Sequence, residues 1–134
     1  MSAPTNHGYM LIFRSTDWYM GLSAEEMQQV GDKWMAWFKG LKASGQAIDG
    51  KPLENEGKIV SGKNRIVSDG PFAESKETIG GFFILNVPTM DDAVAIAQDC
   101  PGLPFGIRVE VRQLAGECPM VAEARAELQL AGQA

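Results

Sequence analysis

The chain has 134 residues, of which 45% are hydrophobic and 22% charged, so its composition is that of one globular domain and excludes wholesale disorder. Twelve basic residues against seventeen acidic ones leave a net charge of -5, which argues against nucleic acid or an anionic membrane as a partner. One His and two Cys are too few for a zinc site or a disulfide scaffold, so no metal and no bound cofactor is expected.

The first third of the chain predicts a strand followed by one long helix. Tyr9 to Arg14 is a short, continuous apolar run, typical of a strand that is covered on both faces. Ser23 to Gly45 predicts the helix, because Ser23 and Glu26 have the spacing of a capping box and Gly45 supplies a left-handed stop. Its core-facing stripe spans about 100° and comprises Met27, Val30, Trp34, Trp37, Phe38 and Leu41.

The middle of the chain predicts a hairpin and a second apolar strand. Gln46 to Gly57 contains glycines and a proline and is interpreted as a connection with room for one short extended piece. Lys58 to Val60 and Asn64 to Ser68 are strand candidates on either side of a glycine-centred turn, so a hairpin is expected. Gly80 to Val87 then predicts a strand that lacks strict alternation and ends at a proline.

The last third predicts a short helix, a strand and an appended helix. Thr89 caps the short helix, which ends before Pro101. Gly106 to Leu114 alternates between apolar and charged residues, so it predicts a strand with one apolar face. Pro119 opens a final helix over about residues 119–131, because proline is favoured in the first turn of a helix.

The order of these elements predicts an α+β fold of the ferredoxin-like, split βαβ type with an appended C-terminal helix. The helices of such a sandwich cover one face of the sheet, whereas residues 9–13 and 82–85 place apolar side chains on both faces. Leaving the second face in water would forfeit about 1.5–3 kcal/mol for each large side chain. We therefore predict a homodimer that forms a dimeric α+β barrel; the alternative is that the C-terminal helix folds back over the open face.

The segment from Asp69 to Gly81, DGPFAESKETIGG, resembles the signature of the DGPF branch of the YCII-related family. YMLIFR, GGFFIL, AIAQDCP and VEVRQL also resemble that family, so the likeness covers about residues 8–114. The resemblance implies a ferredoxin-like α+β fold that dimerises. It supplies no reaction, because the DGPF branch is essentially uncharacterised. Some members are fused to ECF-type sigma factors, and the wider superfamily includes cofactor-free monooxygenases and lactone isomerases.

One departure from the family pattern weakens the case for an enzyme. Other YCII-related proteins have a His in the long helix and an Asp directly before a proline after the second helix, proposed as an acid–base pair. The corresponding residues here are Trp34 or a neighbour and Cys100, although Asp99 lies one residue away. Neither Trp nor Cys exchanges a proton as a His–Asp pair would, so the family's acid–base chemistry transfers poorly to this chain.

The DGPF segment concentrates charge beside one aromatic side chain. Asp69, Phe72, Glu74 and Lys76 are predicted to bind a small polar ligand in a cleft, and Asp69 and Glu77 are the candidate catalytic bases. The alternative is a structural turn, in which Asp69 bonds its own backbone and Phe72 anchors the loop.

Arg14, Trp18 and Arg112 complete the predicted ligand site. An Arg at the end of a strand beside an indole could hold a carboxylate through paired hydrogen bonds. The alternative for Arg14 is a surface ion pair, with Trp18 covering the core. Arg108, Glu110 and Arg112 share one face of the last strand, where they form either an interface ion network or the wall of a polar cavity.

We therefore expect a cytoplasmic homodimer that binds a small polar ligand in a cleft beside the DGPF loop. One alternative is a cofactor-independent lyase, isomerase or oxygenase that uses an acidic residue of that loop as its base. Another is an interaction module linked to sigma-factor-dependent transcription. The start, MSAPTNHG, lacks the layout of a secretory signal, and the apolar runs are too short to span a bilayer, so no membrane is expected as a partner.

Overall fold

A computed structural model describes residues 7–15, 17–70 and 78–132. Each element predicted from the sequence is present, and the connection after the long helix also contains a strand. In chain order the elements are β1 Tyr9–Arg14, α1 Ala24–Ala43, β2 Ala47–Pro52, β3 Gly57–Ser61, β4 Ile66–Gly70, β5 Ile79–Leu85, α2 Met90–Ala97, a 3₁₀ turn at Leu103–Phe105, β6 Arg108–Gln113 and α3 Pro119–Gly132.

Four strands form an antiparallel sheet in the order β2-β5-β1-β6, and β3 and β4 form a separate hairpin between β2 and β5 in the chain. β1 and β2 both run antiparallel to β5, which lies between them. In the same way β5 and β6 both run antiparallel to β1. Each βαβ unit therefore has one strand inserted between its own two, which confirms the ferredoxin-like α+β class.

The two helices that cover the sheet begin at the residues that the sequence identified as caps. The Ser23 Oγ accepts a hydrogen bond from the Glu26 backbone N–H at 3.1 Å, and the Ser23 N–H donates to the Glu26 carboxylate at 3.0 Å. The Thr89 Oγ1 accepts from the Asp92 N–H at 3.1 Å. These caps satisfy backbone donors that a helix leaves without an internal partner, so local chemistry sets both helix starts.

The hydrophobic core lies between the sheet and the helices α1 and α2. Alternate residues of β1 face it, and Tyr9, Leu11 and Phe13 are all buried. The Phe13 ring centroid lies 4.9 Å from that of Trp34 on α1 and 4.8 Å from that of Phe83 on β5, in edge-on contacts. The predicted stripe of α1 faces this core, except that Met27, in the first turn of the helix, is exposed.

The other face of the sheet, here called the open face, carries the remaining apolar residues of β1 and β5. Met10 lies opposite Ile84 and Ile12 lies opposite Phe82, and all four side chains are half-buried. The helix α3 does not cover them, because none of its residues is buried and Leu128 is 74% exposed. The structure therefore does not adopt the alternative in which the C-terminal helix folds back over the sheet. Among the described residues, no helix has the length and apolar character that crossing a bilayer requires.

Candidate functional site

The open face carries a cluster of charged side chains beside its apolar residues. The Arg14 Nη1 donates a hydrogen bond to Glu110 Oε1 at 2.8 Å, and the Arg112 Nη1 donates to Glu110 Oε2 at 3.0 Å. Arg14 lies opposite Arg108 in the pairing of β1 with β6, so Arg108 belongs to the same face. We call Arg14, Arg108, Arg112 and Glu110 the arginine cluster, in which positive charge exceeds negative charge.

The members of the arginine cluster differ in their access to solvent. The side chain of Arg14 is 19% exposed and that of Glu110 is 31% exposed, whereas that of Arg112 is 68% exposed. Water therefore screens the Arg14–Glu110 pair less than it screens an ion pair on the open surface. Of these three side chains, Arg112 is the one best placed to meet a molecule that arrives from solvent.

Thr78, the residue before β5, bonds to the end of β1 beside the arginine cluster. The backbone N–H of Ser15, the residue after Arg14, donates to the Thr78 carbonyl at 2.9 Å, and both residues are buried. Ser15 has a φ of +79°, a left-handed conformation that is uncommon for a residue other than glycine. Such backbone strain tends to occur at functional sites. This end of β1 therefore combines charge, buried polar residues and strain.

The structure places Asp69 in solvent rather than in a cleft. Asp69 lies on β4, and its carboxylate pairs with the Lys58 ammonium group across the hairpin. Its side chain is 85% exposed. The structural-turn interpretation predicts a bond from Asp69 to its own backbone, whereas the partner observed is Lys58. The other predicted residues of the DGPF segment lie outside the described residues: Phe72, Glu74, Lys76 and Glu77.

Trp18 belongs to the aromatic core on the helix side of the sheet. Its ring stacks on that of Trp34, with centroids 5.9 Å apart and an interplanar angle of 23°, and lies 6.3 Å from that of Phe105. Trp34 in turn contacts Phe13, which faces the core. Arg14 lies on the opposite face of the sheet, so the structure does not bring Arg14 and Trp18 together. Arg14 instead forms a half-buried ion pair with Glu110, where the alternative interpretation has a surface pair, and Trp18 covers the core.

A groove of about 490 Å³ lies between α1 and α2, on the opposite side of the sheet from the arginine cluster. Trp37 and Leu41 line it from α1, Asp92 lines it from α2, and Asp99 lines it from the turn after α2. The Trp37 Nε1 is buried and has no hydrogen-bond partner among the described residues. The two aspartates disfavour an anionic ligand there. None of the sequence-predicted site residues that the structure describes lines this groove.

The two cysteines differ in their surroundings. Cys100 is buried, and burial raises the pKa of its thiol to about 11, whereas Cys118 is exposed. A thiol with so high a pKa stays protonated near neutral pH and is a poor nucleophile. Within residues 7–15, 17–70 and 78–132, no three His, Cys, Asp or Glu side chains are close enough to hold a metal ion.

The alternation of the last strand predicts that Glu110 shares a face with Arg108 and Arg112, and the structure shows that Glu110 links Arg14 to Arg112. The structure adds two residues that the sequence did not identify, Ser15 and Thr78. No local sequence pattern predicts their place in the site. Their burial depends on contacts between residues distant in the chain, and a left-handed serine has no sequence signature.

Two comparisons with known proteins place this chain among relatives. A family model described as the YCII-related domain matches residues 9–115, which contain β1 to β6 and the arginine cluster but not α3. An uncharacterised protein of Rhizobium meliloti (strain 1021) is 42% identical over 59 residues, which cover 40% of this chain and 48% of the relative. The alignment thus spans about half the length of that curated relative, whose name states no activity.

Proposed function

The chain belongs to the YCII-related family, and from that premise we propose that it is a homodimeric protein of the DGPF branch that binds a small carboxylate ligand. The observation that carries this proposal is the arginine cluster. In a protein with a net charge of -5, three arginines and a single glutamate lie together on the β1–β6 half of one sheet face, beside apolar side chains. The sequence DGPFAESKE from Asp69 to Glu77 supports the assignment to the DGPF branch.

The open face supports the homodimer. Met10, Ile12, Phe82 and Ile84 form a continuous apolar strip across β1 and β5 that neither α1 nor α2 covers. Two such faces packed together would remove this strip from water, at about 25 cal/mol for each Å² of apolar surface buried. The two arginine clusters would then lie between the sheets. Each ligand site would be bounded by both chains and would begin beside the DGPF segment, close to Thr78.

A carboxylate is the ligand class that best fits the arginine cluster. The planar guanidinium group binds a carboxylate through two parallel N–H···O bonds, which fixes both position and orientation. Glu110 already engages both arginines, with one carboxylate oxygen bonded to Arg14 and the other bonded to Arg112, and it therefore acts as an internal competitor that holds both side chains in place. An arriving carboxylate replaces Glu110 first at Arg112, the most exposed of these three side chains.

Calorimetric titration with mono-, di- and tricarboxylates, and with their uncharged amides, tests this proposal. We expect carboxylates but not amides to bind, and Arg14→Gln or Arg112→Gln to weaken binding about tenfold, which corresponds to about 1.4 kcal/mol. Glu110→Gln is expected to strengthen binding, because it removes the competing carboxylate. The matched control is Arg125→Gln, which removes an exposed arginine of α3 and should leave affinity unchanged. Absence of carboxylate binding, or equal binding by all these variants, would contradict the proposal.

The enzymatic alternative has less support from the described residues. A catalytic base is typically desolvated or placed beside a group that raises its pKa. Asp69 is instead solvated and paired with Lys58. Glu77 lies outside the described residues, so its role as a base stays a prediction. The interaction-module alternative rests on the exposed C-terminal helix α3.

A further inference from the structure

The open face carries charged residues at both edges of the sheet, and its apolar strip lies between them. On the edge strand β2, a Cβ added at Gly50 would lie 2.6 Å from the ring of Phe83, so Gly50 faces the core. Because side chains alternate along a strand, the exposed residues on either side of it, Asp49 and Lys51, belong to the open face. The β2 edge thus carries one negative and one positive side chain.

Strand pairing arranges the open face in two rows that cross the sheet. Residues paired directly across neighbouring strands share a face and lie at the same level along the strands. From the β2 edge to the β6 edge, the first row consists of Asp49, Ile84, Met10 and Arg112. In the same direction, the second row consists of Lys51, Phe82, Ile12 and Glu110. Each row therefore has an apolar centre and ends of opposite charge, and the order of the charges is reversed between the two rows.

The charged ends of a row cannot meet within one chain. Three interstrand spacings, or about 14 Å, separate β2 from β6. The Asp49 Oδ1 accepts a hydrogen bond from the adjacent Gly50 N–H at 2.8 Å. Within the described part of the chain, no ion pair involves Asp49 or Lys51. The charges of the β2 edge are therefore available to a second copy of the chain.

A face-to-face dimer brings the two edges together if its twofold axis runs parallel to the strands. Such an axis, placed between β5 and β1, exchanges the edges of the sheet but keeps each row at its own level. Met10 then lies over the partner's Ile84, and Ile12 lies over the partner's Phe82. The apolar strips of the two chains therefore cover each other completely.

The same rotation brings opposite charges together at both edges. Arg112 faces the partner's Asp49, and Glu110 faces the partner's Lys51. Packed sheets lie about 10 Å apart, a separation that each of these two pairs of side chains can bridge end to end. An axis across the strands would instead place the two arginine clusters over each other, each with three arginines against one glutamate, and like charges repel. Charge therefore favours the axis that runs parallel to the strands.

We propose that the β2 edge of the partner subunit completes each ligand site, an inference that rests on the homodimer of the proposed function. The partner's Lys51 bonds the Glu110 carboxylate and draws it away from Arg112, which weakens the internal competitor. The partner's Asp49 pairs with Arg112, whose five N–H donors also bind a ligand carboxylate. The completed site has four cationic side chains against two carboxylates, so it still favours an anion. Lys51 is thus a positioning residue that acts through Glu110.

Cross-linking of two cysteine variants tests the arrangement of the chains. Both variants carry Cys118→Ala, which removes the exposed native thiol; one adds Asp49→Cys and the other adds Arg112→Cys. After subunit exchange, a short bismaleimide is expected to cross-link the mixture, because position 112 of one chain faces position 49 of the other. Neither variant alone should cross-link, because the two copies of each position lie at opposite edges of the dimer. Labelling with a monomaleimide verifies that both thiols react.

A double-mutant cycle tests the contact between Lys51 and the partner's Glu110. By sedimentation, Lys51→Gln and Glu110→Gln are each expected to raise the dimer dissociation constant about tenfold, and the double variant to raise it no further. Without a contact between chains the two effects should add, because these residues lie about 14 Å apart in one chain. The matched control is Lys39→Gln at an exposed position of α1, which should leave the dissociation constant unchanged with or without Glu110→Gln.

Carboxylate affinity gives a readout that a purely structural role of Lys51 would not change in this way. Lys51→Gln is expected to weaken carboxylate binding about threefold in calorimetric titration of the dimer, because Glu110 then competes better for Arg112. In the Glu110→Gln background the same substitution should have no effect on affinity. An equal effect in both backgrounds would overturn the action of Lys51 through Glu110.

The outcomes separate this inference from the proposed function. A cross-link in either cysteine variant alone, no cross-link in the mixture of reactive variants, or additive effects in the cycle would overturn the arrangement and leave the homodimer intact. A monomeric wild-type protein would overturn both. If the mixture cross-links but no carboxylate binds, the ligand of the proposed function is wrong and the arrangement of the two chains stands.

Discussion

Gly31 and Gly81 show how differently two glycines inside regular elements can matter. A Cβ added at Gly31, in α1, would meet nothing within 4 Å. A Cβ added at Gly81, in β5, would lie 2.8 Å from the backbone oxygen of Lys51 on the neighbouring strand β2. Backbone atoms in a paired strand cannot move aside as the end of a flexible side chain can. Gly81 is therefore required by the close approach of β2 and β5, whereas Gly31 only weakens its helix.

These two positions give opposite predictions for alanine substitution. Gly31→Ala is expected to raise the free energy of unfolding by about 1 kcal/mol, because alanine lowers the conformational entropy of the unfolded chain and favours the helix. Gly81→Ala is expected to lower it by about 1–3 kcal/mol through steric strain. Urea unfolding of both variants and the wild type measures the difference. A Gly81→Ala protein as stable as the wild type would show that the strands do not approach so closely.

Cys100 gives a prediction for alkaline pH. Burial raises the pKa of its thiol from the ordinary value of 9.0 to about 11, so the folded protein holds the proton more tightly than the unfolded chain does. This contribution to stability is complete below about pH 9 and is lost as the pH rises to about 11. We expect the free energy of unfolding to fall less steeply over that range in Cys100→Ala than in the wild type. Cys118→Ala, which removes the exposed thiol, should follow the wild-type slope.

At the scale of the element, α1 depends on its capping box. Ser23 and Glu26 each satisfy a backbone N–H of the other, and both groups lie at the exposed start of the helix. Ser23→Ala is expected to lower the free energy of unfolding by about 1 kcal/mol. Ser23→Asp should lower it much less, because aspartate also caps well. Urea unfolding at neutral pH distinguishes the two. No loss of stability in Ser23→Ala would mean that the cap contributes little and that packing of α1 on the sheet is what maintains its first turn.

At the scale of the whole molecule, the open face predicts the assembly state. Light scattering should give the wild-type protein twice the chain mass of 14.5 kDa. Ile12→Glu should give a folded particle of one chain mass, because a second carboxylate would have to enter the interface directly opposite that of Glu110. Met35→Glu, a matched change at an exposed position of α1, should remain dimeric. A wild-type particle of one chain mass would remove the basis for a ligand site between two sheets.

Local sequence patterns were sufficient to predict the elements and their order. The capping box of α1, the left-handed Gly45 after its last turn and the alternation in β6 all involve residues a few positions apart, so their chemistry can be read locally. The order of elements then leads to the ferredoxin-like fold. The strand β2 was less evident, because Gly50 and Pro52 interrupt its pattern and its pairing with β5 supplies what local propensity does not.

Which side chains meet depends instead on how the strands pair across the whole chain. Arg14 and Glu110 are 96 positions apart, and they come together because β1 and β6 pair in one particular register on one face of the sheet. Arg14 and Trp18 lie on opposite sides of the sheet, although the two are close in sequence. Asp69 lies in solvent because its strand, β4, pairs with β3 in a separate hairpin instead of joining the main sheet. Strand order and register arise from packing over the whole chain, so local patterns predict the parts of this protein but not the assembly of its site.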